Sequence, residues 1–319
     1  MAHSVTCAYG DNLWGKTTFL GSVLHHGLKQ NPNFRARLYT CENYDALEPW
    51  IKAGILELWV IDTRENPFDT VHQAVQGHFP EDPEDPTSRV RPPTAKDLQE
   101  ISVWLYEGMA TFCDFMMGGY AKGGLAARSG RNERIGPAEE TICFTDGDPR
   151  TGVKVGGNPR THYNIVQRWM HGAVRTSRQL PGHVIWTSHE VVAKDERTNR
   201  PILGPELTGT AATSTCCRWF GNTIHVMRVD SKSKGKDKEN SLTSEYRLYL
   251  KPHYSVDSPN IPYKAVLRVP AEVPQEEVEK LIPEYILNSR DSYSELMDIR
   301  VKVDTLSEKL IAEIKKGTK

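Results

Sequence analysis

The sequence predicts an α/β protein built on a mostly parallel sheet with helices on both faces. Three observations predict it. An apolar run, His3 to Tyr9, leads into GDNLWGKTT, Gly10 to Thr18, and then into the helical stretch FLGSVLHHGLKQ. β-prone runs alternate with helical patterns along much of the chain, as parallel strands joined by crossover helices require. Several of those runs end on polar or acidic residues, Glu42, Asp62, Glu107 and His189–Glu190. These ends would line the carboxyl edge of the sheet, where ligands bind in open α/β folds.

Gly10 to Thr17 reads G-x-x-x-x-G-K-T between a strand and a helix, the setting in which this pattern cradles phosphate. Backbone N–H groups from Gly10, Asp11, Asn12, Leu13, Trp14 and Gly15 through Lys16, Thr17 and Thr18 can wrap a β-phosphate, reinforced by the positive end of the helix. Lys16 supplies a point charge for the β- and γ-phosphates, and the Thr17 hydroxyl can ligate Mg2+. The pattern therefore implies a nucleotide such as ATP, with Mg2+. Leu13 and Trp14 bring bulk where such loops prefer small residues, which bears on hydrolysis more than on binding.

The chain has 319 residues and a formal charge of -1, so global charge does not favour a polyanion, and such contact would need local basic loops. No apolar run approaches the ~20 residues of a membrane span, and no secretory pattern opens the chain, so no membrane partner is expected. Six scattered cysteines form no C-x-x-C pair, which argues against structural zinc or a disulfide framework and for a reducing, cytoplasmic setting.

In order, RARLYTCE from Arg35 to Glu42 is the second strand, NYDALEPWIKAG a short helix, and LELWVIDT from Leu56 to Thr63 the third strand. Residues 64–97 carry prolines and acids without periodicity and read as an irregular surface insertion. Leu98 to Gly119 admits either one helix or a strand, ISVWLY, that delivers Glu107 before a helix; we favour the strand. Lys122 to Arg160 is rich in glycine and arginine, including Arg128, Arg131 and Arg134, and suits either a solvated loop or one touching phosphate backbones. His162 to Leu180 is an amphipathic helix with Ile165, Val166, Trp169, Met170 and Val174 on its buried side. HVIWTSHE follows as a central strand, and residues 191–214 read as a second long functional loop. WFGNTIHVMRV and EYRLYLKPHYSV add two strands, and NIPYKAVLRVP an edge strand. Residues 1–270 thus form the main domain. Residues 271–319 form a helical tail whose apolar stripe, Leu296, Ile299, Val303, Leu306, Leu310 and Ile314, docks on its own domain or pairs with another copy.

On GDNLWGKTT and YTCENYDALEPW the sequence resembles the RecA-like P-loop ATPase core, and especially phage-encoded AAA-family ATPases related to recombinases. The resemblance implies ATP hydrolysis with Mg2+. It assigns Glu42 as the residue that activates water, and HVIWTSHE as the strand carrying a γ-phosphate sensor, with Ser188 and His189 as the matching residues. The carboxylate on the Mg2+ side is Glu107 by chain order or Asp62 by its apolar-strand-plus-aspartate pattern. Lys251, and less directly Lys264, match lysines that recombinases extend into a neighbouring subunit's site. The resemblance further implies a homo-oligomer, a hexameric ring or helical filament. It implies single-stranded or duplex DNA held by Arg128, Arg131, Arg134 and the 191–214 loop, in phage recombination or replication. That setting is the cytoplasm of an infected bacterial cell, or the virion. A packaging motor, a non-catalytic nucleotide-binding interaction protein and a nucleotide kinase are the other classes the motif admits.

Overall fold

The computed structural model describes residues 4–61, 67–85, 87–121, 160–195, 198–207, 213, 215–234, 240–254 and 260–317. Its centre is a sheet whose strands alternate between two buried faces. In β1 (Val5–Tyr9), Val5, Cys7 and Tyr9 enter one core and Ala8 the other. β2 (Arg35–Thr40) and β3 (Leu56–Val60) divide in the same way. Strands buried on both sides read as continuous apolar runs, which is why these segments are legible as parallel-sheet strands.

Four helices, α1 to α4, and a small hairpin accompany these strands and precede the next long one. α1 (Lys16–Gln30) follows β1, and α2 (Glu48–Lys52) follows β2 after a short turn. α3 (Pro67–Val75), β4 (Phe79–Pro80), β5 (Val90–Arg91) and α4 (Ala95–Glu100) occupy the stretch expected to be an irregular insertion. That expectation is corrected. Val71, Ala74 and Val75 share one helical face and are buried, and Thr94 caps α4 through a reciprocal bond set with Asp97.

β6 (Ile101–Glu107) then delivers Glu107, and α5 (Met109–Ala121) turns back, which resolves the Leu98–Gly119 ambiguity as strand then helix. α6 (Arg160–Ser177) precedes β7 (His183–Ser188). Val166, Met170 and Val174 of α6 are buried, whereas Trp169, expected with them, is 40% exposed and meets His72 edge-on. β8 (Glu190–Lys194) and β9 (Pro201–Pro205) form an antiparallel pair, so 191–194 and 201–205 of the expected 191–214 loop are strand, stabilised by ladder bonds and by burial of Ala193 and Leu203.

β10 (Asn222–Lys234) and β11 (Asn240–Tyr249) make a long hairpin. The stretch read as one edge strand after it is broken in two, since Tyr263 and Leu267 enter different sheets. β12 (His253–Tyr254) and β13 (Pro262–Tyr263) join β9 and β8 in a four-stranded sheet, while β14 (Val266–Leu267) pairs with β10. The stretch read as a helical tail holds α7 (Gln275–Leu281), a further strand β15 (Tyr285–Leu287) and α8 (Ser292–Gly317).

The main sheet has the order β15-β11-β10-β1-β7-β6-β2-β3, with β14 off that path. From β10 to β3 every neighbouring pair is parallel. α1 and α8 cover one face through Phe19, Leu20, Val23, Tyr293, Leu296, Ile299 and Val303. α3, α5 and α6 cover the other, over a ladder in which Tyr106 stacks on Tyr39 at 5.0 Å and on Trp186 at 4.3 Å. The arrangement is a mostly parallel α/β sheet with helices on both faces, in which β7 lies between β1, the strand that leads into the Gly10–Thr17 loop, and β6, the strand that carries Glu107. The first half of α8 is core and its distal half is largely exposed.

The asymmetry of α8 sets an expectation for stability. Leu296→Ala should cost roughly 2–5 kcal/mol, because the buried side chain leaves a cavity. Val301→Ala, on the exposed face of the same helix, should change stability by less than about 0.5 kcal/mol. Urea unfolding of both variants measures the contrast.

Candidate functional site

The carboxyl edge of the parallel strands gathers most of the residues singled out from the sequence. Gly10 leaves β1 with its N–H on the Ser188 carbonyl at 3.2 Å, and a side chain there would run into the Val226 carbonyl. Two residues of the loop take positive φ, Leu13 at 62° and Gly15 at 94°. For Gly15 this is free of steric cost. For Leu13, whose side chain is 88% exposed, it stores on the order of 1–2 kcal/mol of strain. Asn288, just past β15, donates to the Gly15 carbonyl at 2.8 Å, tying the loop to the far end of the chain.

Lys16 begins α1 and is buried. Its ammonium donates to the Gly10 and Asp11 carbonyls, both at 2.9 Å, and stands 3.3 Å from His189 Nδ1. Burial lowers its pKa, against the opposing pull of Glu42, Asp11, Glu190 and Glu107. The next residue, Thr17, donates to Glu107 Oε1 at 3.0 Å. Glu107 is 2% exposed, and its Oε2 is buried with no hydrogen-bond partner among the described residues. Burial pushes its pKa up to about 7, with the Thr17 bond opposing and Glu42 adding to the rise.

The competing carboxylate, Asp62, lies outside the described residues. The strand leading toward it, β3, is the outer strand of the sheet, separated from β1 by β7, β6 and β2. Of the two alternatives, Glu107 is the one in contact with Thr17.

Glu42 follows β2 and is held from three directions. Its N–H donates to Thr40 Oγ1 at 2.8 Å, and its Oε1 accepts from Thr111 Oγ1 at 2.7 Å and from His189 Nε2 at 3.1 Å. Burial alone would raise its pKa, but the His189 and Thr111 bonds and the Lys16 ammonium win, and the carboxylate is held below its ordinary range. Gly108 makes this approach possible. It turns the chain at φ 86° after Glu107, and a Cβ there would lie 2.3 Å from Glu42 Oε1. Its N–H is fixed on Thr187 Oγ1 at 3.0 Å.

His189 therefore bridges Lys16 and Glu42. With Nε2–H donated to the carboxylate, Nδ1 is left to accept from the ammonium, a single-tautomer arrangement. Lys16, Thr17, Glu42, Glu107 and His189 form one constellation. Lys251 is not brought to it. It lies two residues past β11, and its ammonium donates to the Glu279 carbonyl at 3.2 Å. Arg128, Arg131 and Arg134 lie outside the described residues.

No family model matches the chain, and no curated protein does. Among solved structures the chain is similar to the flagellar accessory protein FlaH of Methanocaldococcus jannaschii, at 9% identity over 77% of each chain with a TM-score of 0.34. It is also similar to the KaiC-like protein PH0186 of the hyperthermophilic archaeon Pyrococcus horikoshii OT3, at 9% identity over 76% of this chain and 85% of that one, with a TM-score of 0.34. Likeness of this degree says nothing of activity, and the chemistry rests on the residues themselves.

Sequence reasoning missed Thr40, Gly108, Thr111 and Thr187, which position Glu42 and the turn beside it, and gave Glu190 a place at the ligand edge but no role. The Glu107–Gly108 pair at the end of an apolar run was the one available signal, since a glycine there marks a turn with close backbone approach. The threonines carry no pattern of their own.

The buried Glu107 carries a stability consequence. Its folded pKa, about 7, exceeds the roughly 4.3 of an unfolded glutamate, so the native state holds more protons between these values. Its contribution to stability thus falls as pH rises through that window. Glu107→Gln should stabilise the fold at pH 8 by up to roughly 3 kcal/mol, a gain that vanishes near pH 4. Thermal or urea unfolding against pH reads the difference.

Proposed function

We propose that the chain binds ATP with Mg2+ and hydrolyses it, as a DNA-dependent ATPase of phage recombination or replication that works in a ring or filament. The observation that carries the catalytic part is the meeting of Thr17 with Glu107 beneath the phosphate loop, one strand away from Glu42 and His189. A hydroxyl and a carboxyl whose second oxygen has no partner are hard oxygen donors, which suit Mg2+ held together with substrate phosphates. When bound, Mg2+ neutralises charge on the β- and γ-oxygens.

The residues divide the remaining work. Loop N–H groups and the start of α1 bind phosphate oxygens, and Lys16 exchanges its backbone carbonyls for them. Glu42 accepts a hydrogen bond from the attacking water. Because its pKa is held low, it acts more by orienting that water than as a strong base. Water oxygen bonds to the γ-phosphorus as the bond to the β–γ bridging oxygen breaks, its electron pair leaving with ADP. His189 links Glu42 to Lys16, so the residue that holds the water and the one that holds the phosphate respond to each other. A cation from a neighbouring copy, Lys251 by resemblance, would complete charge neutralisation.

The main alternative is a protein that binds nucleotide without turning it over, favoured by the strained, exposed Leu13 in the loop. Two variants separate them. Lys16→Ala should lose ATP binding, since a charge-assisted contact is worth roughly 1.5–3 kcal/mol. Glu42→Gln should keep binding and lose at least about a hundredfold in turnover. Filter binding and phosphate release, measured side by side, check both. Wild-type turnover by Glu42→Gln would overturn the mechanism.

The DNA reading rests on the sequence, where the slightly acidic chain confines cationic character to local stretches such as Arg128, Arg131 and Arg134. Replacing those three with alanine should weaken oligonucleotide binding about equally across sequences. It should also lower the log–log salt slope by roughly 0.7 per lost contact on single strands. Fluorescence anisotropy across a salt series measures it, and identical slopes would rule these arginines out.

A further inference from the structure

Next to the phosphate loop runs a chain of buried titratable groups that hydrolysis does not use. Glu190, the first residue of β8, meets His225 of β10, Oε2 to Nε2, at 2.8 Å. His225 Nδ1 meets His253 Nε2 of β12 at 3.1 Å, and His253 Nδ1 meets the Lys251 carbonyl at 3.4 Å. His225 is fully buried and the Glu190 side chain is 11% exposed. The rings are fixed by stacking, His225 on Tyr263 at 3.8 Å and His253 on Tyr249 at 3.6 Å, so neither imidazole can turn away.

Counting donors and acceptors along this chain fixes its protonation. A carbonyl only accepts, so His253 Nδ1 carries hydrogen. If His253 is neutral, its Nε2 accepts and His225 Nδ1 must donate. His225 Nε2 then meets Glu190 either as imidazolium to carboxylate or as neutral nitrogen to carboxylic acid. If His253 is the imidazolium instead, His225 Nε2 donates to a carboxylate. Each version contains one proton more than a carboxylate and two neutral imidazoles. Removing it sets two lone pairs against each other in a dry interior.

We propose that this chain keeps its extra proton at neutral pH, residing on Glu190, and that Glu190 is a positioning residue of the phosphate loop, held uncharged beside it. The role rests on the nucleotide reading above, whereas the proton count does not. The surroundings favour Glu190 as its place. The groups that act on the chain are Asp11 and Lys16 from the phosphate loop and Tyr9 from β1. Tyr249 of β11 and Tyr263 of β13 face the rings, and Cys216 and Cys217 lie beyond Tyr9. Burial raises Glu190 to about 8, with Asp11 adding to the rise and Lys16 opposing it, while burial and the neighbouring imidazole drive His225 down and burial brings His253 to about 4. An uncharged Glu190 leaves Lys16 to the phosphate. An ionised one places a second negative charge against both. By linkage, polyphosphate binding must then draw a proton onto the chain wherever Glu190 is partly ionised.

Two measurements test this on the full chain. The first is calorimetric titration of ADP without metal at pH 8, in two buffers of different ionisation enthalpy. Wild type should take up a fraction of a proton and show a Kd rising toward tenfold per pH unit above the midpoint. Glu190→Gln, whose amide still donates to His225, should show a smaller uptake and a shallower pH dependence, the part that Glu107 contributes in both proteins. His253→Phe frees His225 to donate Nε2–H to a carboxylate, and should move the wild-type midpoint to lower pH. The second is the infrared difference spectrum of the protein alone between pH 7 and 9, in which wild type loses more carboxylic-acid carbonyl absorption than Glu190→Gln, whose remaining loss is that of Glu107. Equal band loss in both proteins would overturn the assignment of the proton. The same pH dependence of ADP binding in both would overturn the positioning role. Failure of ADP to bind either protein at any pH would sink the nucleotide reading and that role together, with the infrared result still deciding the proton.

Discussion

A single hydrogen bond, Thr17 Oγ1 to Glu107 Oε1, joins the start of α1 to the end of β6. Thr17 stands at the start of α1 just after β1, and Glu107 ends β6, with β7 between their strands. For the two to meet, all three strands must end level at one edge, and the register Tyr9 to Ser188 and Tyr106 to Trp186 provides that. The aromatic ladder Tyr39–Tyr106–Trp186 holds the same register from the opposite face of the sheet. What fixes the site is therefore sheet packing, and loop chemistry is added to it.

Three glutamates at this edge differ in charge although they are chemically alike. Glu42 has two side-chain donors and the Lys16 ammonium nearby, and stays ionised. Glu107 and Glu190 are more deeply desolvated and are pushed toward the neutral acid. Lys16 is shared among all of them, so a change in its partner is felt by each. Separation of pKa values by environment is how neighbouring carboxyl groups acquire different tasks.

The strands, the phosphate loop, Lys16, Thr17, Glu42, Glu107 and His189 were legible in the sequence because each depends on local pattern: an apolar run, a glycine spacing, a polar residue at a strand end. The small sheet was not, because its strands are short and take partners from distant segments, β9 beside β13; the same holds for β14 beside β10 in the main sheet. Val71, Ala74 and Val75 were hidden for a different reason, the prolines and acids that follow them in sequence masking one good helical face. The Glu190–His225–His253 chain could not be read at all. Its members sit on three strands, and nothing in the spacing of Glu190, His225 and His253 marks them as neighbours.

The bond from Asn288 to the Gly15 carbonyl spans 273 positions of sequence. Domains are made from the amino end at about 5–20 residues per second, so the loop waits roughly 15–55 s during synthesis for the residue that ties it down. Through that interval β1 and α1 lack the cover of α8, and the face of α1 bearing Phe19, Leu20 and Val23 stays open to other chains. The contact that ties this loop to the far end of the chain becomes available only once nearly all of the main sheet's strands have been synthesised.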